Sequence, residues 1–119
     1  MACTCGAGGY HGGMRAKPIV AVTTTVARPA DARRLAREIV DARLAACVQY
    51  TPIQSVYRWK GKVNTARELL LTAKTPRAKA RALVAFIRQH HPYELPEILV
   101  LPVQGGYAPY FKWVADETQ

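Results

Sequence analysis

The chain has 119 residues, about one domain, and half of them are hydrophobic, enough for a core without disulfides or a structural metal. No apolar run approaches the roughly 20 residues of a membrane helix, and the longest, Ile98-Leu99-Val100-Leu101-Pro102-Val103, is strand-sized. The formal charge of +9 permits an anionic partner, but Arg33, Arg34, Arg37, Arg43, Lys79, Arg81 and Arg88 alternate with alanines as solvated helix faces do.

No aromatic residues interleave with those basic ones, so nucleic-acid binding is not expected. Three cysteines, an odd number, without a secretory leader point to a reducing compartment. The expectation is a soluble cytoplasmic domain with no membrane partner.

Residues 1–17 stand apart. Met1 to Gly13 holds five glycines and little that packs, so the segment reads as a flexible tail. Cys3, Cys5 and His11 lie in it, but structural metal sites carry a second ligand cluster, and the three read as incidental. Met14 is an alternative start. The ordered domain is expected over residues 18–119.

Ile19 to Val26 is β-branched and apolar, a buried strand. Pro29-Ala30-Asp31 opens a helix whose apolar positions Leu35, Ile39 and Ala42 recur at helical spacing. Cys47 to Trp59 is a long strand, with Pro52 marking a bulge or an edge position. Lys60-Gly61-Lys62 supplies a turn, and residues 63–75 return as the hairpin partner. Thr75-Pro76 begins a second helix through Leu83, Val84, Phe86 and Ile87, ending at Pro92. Ile98 to Val103 is a fourth strand. Gly105-Gly106 breaks it, and residues 107–118 form a closing helix.

The order βαββαβ plus a terminal helix predicts an α+β fold of ferredoxin-like type, a four-stranded antiparallel sheet with two helices on one face. The other face cannot be polar. The fourth strand is apolar at consecutive positions, and Ile53, Tyr57 and Trp59 recur at period two. A homo-oligomer would cover such a surface.

Function has to come from the site, because this fold hosts many activities. The strand Arg67 to Lys74 has no stacking aromatics for RNA. The loop after the first strand, Thr23 to Arg28, has neither the thiol pair of a metallochaperone nor the glycine-rich cradle of an acylphosphatase. The chain shows no nucleophile with a positioned base, so catalysis and an organic cofactor are not expected. What remains is His90-His91-Pro92-Tyr93-Glu94-Leu95-Pro96-Glu97, two imidazoles, a phenol and two carboxylates on a connector stiffened by two prolines. Adjacent histidines at a helix end point apart, so one chain is not expected to offer both to one ion.

Several segments in this order resemble the CutA family of divalent-cation tolerance proteins: Ala42-Arg43-Leu44-Ala45-Ala46-Cys47-Val48, Ser55-Val56-Tyr57-Arg58-Trp59-Lys60-Gly61-Lys62, Glu68, Lys74-Thr75, His91-Pro92-Tyr93-Glu94-Leu95-Pro96-Glu97-Ile98, and Tyr110 with Trp113. The resemblance spans residues 18–118 and leaves out the glycine-rich leader. It implies a homotrimer similar in architecture to the PII signalling proteins, and a role in copper and divalent-cation tolerance. It also implies a metal site of two adjacent histidines, here His90 and His91, with a cysteine whose position is Thr23 in this chain. The donors left are His90, His91, Glu94 and Glu97, a set that suits copper(II) or zinc better than copper(I). Tyr57, Trp59, Glu68, Lys74 and Tyr93 are candidates for a small-ligand cleft, Glu68 and Lys74 sharing a strand face by even spacing. Cys47 reads as a small hydrophobe at the start of a buried strand. The expected function is a homotrimeric binding protein of the copper and divalent-ion response. The alternative is a PII-like small-molecule sensor with incidental metal binding.

Overall fold

The computed structural model describes residues 18–119; residues 1–17, with Cys3, Cys5 and His11, lie outside the described residues. In chain order the elements are β1 (Ile19–Val26), α1 (Pro29–Asp41), β2 (Cys47–Trp59), β3 (Lys62–Pro76), a 3-10 turn (Arg77–Lys79), α2 (Ala80–His90), β4 (Ile98–Pro102) and α3 (Ala108–Asp116). The strands form one antiparallel sheet in the order β2-β3-β1-β4, the ferredoxin-like arrangement.

β1 is flanked on both sides, which is why a β-branched run suits it: seven of its eight residues are buried. The register assigns its two faces. Val20, Val22 and Val26, with Leu71 and Ala73 of β3, meet the helices. α1 answers with Ala32, Leu35, Ala36 and Ile39, an i, i+3, i+4, i+7 stripe, and α2 with Leu83 and Ile87. Burying each of the large aliphatic side chains contributes about 2 kcal/mol. Pro29 starts α1, and Asp31 in its first turn complements the helix dipole.

α1 ends in a Schellman motif. Leu44 N–H donates to Ile39 O and Arg43 N–H to Val40 O, with Arg43 in the left-handed region at φ 59°. The β2–β3 hairpin closes through Lys60 at φ 52° and Gly61 at φ 80°, the pair of positive values that a type I′ turn requires.

One element expectation is corrected and one open alternative is decided. Thr75-Pro76 does not open a helix: β3 continues through Pro76, and α2 begins only at Ala80, after the 3-10 turn. Thr75, before a proline, takes extended backbone, and its buried hydroxyl donates to Leu44 O at 2.7 Å. Arg77 N–H then donates to Pro18 O, tying the strand end to the start of β1. Of the two positions expected for Pro52, bulge or edge, it takes the edge: the β2–β3 register runs through Pro52 and Leu69 unbroken, and β2 is an edge strand that tolerates proline.

Among the described residues, the second sheet face is covered only at one corner, where Phe111 and Val114 of α3 pack on Ile19. A Cβ at Gly106 would stand 2.9 Å from the Phe111 ring, so glycine is required for that approach. Beyond the corner, Leu99 and Leu101 remain 50% and 46% exposed beside Thr23 and Ala21. Tyr57 and Trp59 are exposed farther out on the hairpin. Cys47, expected as core, is only half-buried on this face.

Candidate functional site

α2 stops at His90 because Pro92 forces the residue before it into extended backbone: His91 has φ −80° and ψ 138°. That change of direction sends the two imidazoles to different places. His90 stacks on Phe86 with centroids 4.0 Å apart, and its Nδ1 lies 2.8 Å from Phe86 O. A carbonyl only accepts, so Nδ1 carries a proton, and in the neutral ring Nε2 is the nitrogen with the lone pair. Arg34 Nη2 donates to His90 O at 3.2 Å, placing a cation at the negative end of α2. Arg34 is itself paired with Glu38 at 3.0 Å and Asp31 at 3.8 Å.

His91 turns toward the sheet. Its Nε2 lies 2.8 Å from Thr25 O at the end of β1, and its Nδ1 accepts the Tyr93 N–H at 3.0 Å. Burial holds its pKa below the ordinary histidine value, against the opposing effects of the Thr25 hydrogen bond and of Asp31. Tyr93 tilts against the His91 ring at 4.8 Å, and its hydroxyl donates to Glu68 Oε2 at 2.7 Å. Loss of water around the phenol, then the Glu68 carboxylate, push its pKa well above the ordinary tyrosine range.

Glu68 borders a cavity of about 650 Å3 at the corner where β1 leaves the sheet. Arg67, Ile53, Leu69, Pro52 and Pro29 complete most of its wall. Glu68 and Lys74 do share a sheet face, as their spacing predicts. Six residues of strand separate them by about 20 Å, and Lys74 instead donates to Gln49 Oε1. Trp59 lies a similar distance from Glu68 in the opposite direction, with Lys60 Nζ 5.7 Å from its ring. Of the five cleft residues, one chain joins Glu68 directly to Tyr93, with Tyr57 in electrostatic reach.

Glu94 and Glu97 are exposed, and no three His, Cys, Asp or Glu side chains among the described residues come together as a metal cluster. Thr23 is buried between Thr72 and Leu99, offering no thiol. The one thiol among the described residues, Cys47, lies by Tyr110, whose phenol is raised by burial first and then by that sulfur. Sequence reasoning did not find the partners of the two histidines, because Thr25 O and Phe86 O are backbone groups. It also missed Arg67, whose only signal was its place beside Glu68.

The family model described as the CutA1 divalent ion tolerance protein matches residues 20–117. A CutA homolog of Xenopus laevis is 46% identical over 86 residues, 71% of this chain and 57% of that protein. A rice protein, CutA 1, chloroplastic, is 40% identical over 103 residues, 86% of this chain and 58% of that one. The chain thus spans little more than half the length of these relatives. The structure of CutA from Synechococcus elongatus complexed with Bis-Tris is 37% identical, with a TM-score of 0.79 over 85% of this chain and 94% of that one. The chain belongs to the CutA1 divalent ion tolerance family.

Proposed function

We propose that the chain is a homotrimeric binding protein of the divalent-cation response, not an enzyme, with copper(II) or zinc as the ions its donors suit. The observation that supports assembly is the uncovered sheet face, where Leu99 and Leu101 stay half exposed. An apolar surface of this kind is an interaction surface, and further copies of the chain would cover it. His90 supports an ion contact: its Nδ1–H is tied to a carbonyl, as in metal-binding imidazoles, which leaves Nε2 of the neutral ring to face an ion. His91 does not fit, since both of its nitrogens are engaged. Among the described residues, a single chain therefore offers no closed site. An ion would be held weakly at a junction between copies, by His90 of one with Glu94 or Glu97 of another. Titration calorimetry of copper(II) and zinc into the protein and its His90→Ala variant tests this; equal binding by both proteins refutes it.

The second reading is a small-molecule sensor similar to PII proteins. The cavity beside Glu68 favours it, as does the Bis-Tris complex of the Synechococcus relative. Bis-Tris binding without metal, lost in Glu68→Gln, would support this reading over the first. Copper specificity and the cytoplasmic setting remain parts of the proposal, the rice relative being named chloroplastic.

A further inference from the structure

His91 sits where three backbone segments meet: the end of β1, the end of α2 and the connector to β4. Thr25 O is a carbonyl and can only accept, so His91 Nε2 carries the proton. The Tyr93 N–H can only donate, so Nδ1 is bare. Two backbone groups therefore fix one neutral tautomer, and an ion at either nitrogen would displace one of them. The groups around the ring, Asp31, Arg34 and Glu68, carry opposing charges. The two backbone contacts, not these charges, set the tautomer.

The consequence lies one residue pair away. The Nδ1 contact sets the Tyr93 backbone, the imidazole face sets its ring, and the phenol then reaches Glu68. Glu68 stands on the wall of the 650 Å3 cavity. We infer that His91 is a positioning residue rather than an ion ligand: a tautomer-locked latch that fixes Tyr93, and through it the carboxylate of Glu68, a residue of the cavity wall. The role rests on no particular ligand, ion or organic, being taken by the domain.

Long-range proton–nitrogen NMR of 15N-histidine-labelled protein at pH 7.5 tests it. His91 should show a protonated Nε2 and a bare Nδ1, and zinc chloride should leave both signals in place. The opposite tautomer, or a His91 nitrogen signal that moves with zinc, overturns the inference. Two variants separate the latch from simple packing. His91→Asn keeps an acceptor where Nδ1 stands; His91→Gln keeps a donor where Nε2 stands. At fixed pH, the Tyr93 Cζ and Glu68 Cδ carbon shifts should survive in the first and change in the second. Unchanged shifts in both overturn the latch. Should zinc bind nowhere, the ion reading of the domain fails, while the tautomer and the carbon shifts still decide this inference. The wild-type tautomer decides it even if a variant does not fold.

Discussion

Thr24 and Thr75 are two threonines on the helix-facing side of the sheet, 1% and 0% exposed, and they differ in one respect. The Thr75 hydroxyl donates to Leu44 O at 2.7 Å, whereas the Thr24 hydroxyl has no partner among the described residues. Replacing each with valine removes the same atom and leaves nearly the same shape. At Thr24 the change removes a buried polar group that nothing satisfies, and should stabilise by about 1–2 kcal/mol. At Thr75 it breaks a hydrogen bond and strips a partner from Leu44 O, costing about 1–2 kcal/mol. The two variants should thus differ by roughly 3 kcal/mol, with opposite signs relative to wild type. Guanidinium unfolding followed by circular dichroism reads this as a rise and a fall in midpoint at unchanged slope. Both variants moving the same way would refute the assignment of partners in the core.

Three further outcomes are expected. Leu99→Glu/Leu101→Glu should convert a particle of three times 13.1 kDa into a monomer by light scattering at micromolar concentration; a wild-type monomer would end the homotrimer proposal. Burying the remaining half of each leucine is worth about 1 kcal/mol, so six in a trimer weigh heavily on assembly. Because the His91 pKa is lowered in the fold, the unfolded chain takes up a proton first as pH falls past 6.5. The His91 contribution is therefore complete above pH 6.5 and is lost as pH falls through the lower folded value. Thermal melts from pH 8 to 5 should show a steeper decline for wild type than for His91→Gln; parallel declines would count against it. Arg43→Gly should stabilise by about 1 kcal/mol, since glycine carries no penalty in the left-handed position, and a lower melting temperature would show that the Arg43 contact with Glu117 O matters more than its exposure suggests.

What could be read from the chain follows the range of the forces involved. The strand at Ile19, the α1 stripe and the Lys60-Gly61 turn are local patterns, and they stand where the periods place them. The start of α2 was misread because Thr75-Pro76 fits both a helix opening and a strand end. The choice is made by Leu44 O, 31 residues away, and by Pro18 O. The divergence of His90 and His91 was legible in Pro92. Their partners were not, since a backbone carbonyl such as Thr25 O leaves no mark in the residue pattern. Even spacing put Glu68 and Lys74 on one face, but spacing along a strand also sets them too far apart to share one small ligand within a chain.

The latch and the uncovered face meet at one place. Glu68 belongs to the sheet face that carries Leu99 and Leu101, and Tyr93 crosses the end of β1 to reach it. A copy of the chain docked on that face would remove water from the Tyr93–Glu68 pair, where a charge-assisted hydrogen bond gains strength. Assembly and ligand binding should therefore be lost together. The Leu99→Glu/Leu101→Glu monomer should retain the His91 tautomer, because Thr25 and Tyr93 are in the same chain, yet fail to bind Bis-Tris or zinc. A monomer that binds either as well as the oligomer does would place the site within one chain and detach the binding role from the apolar face.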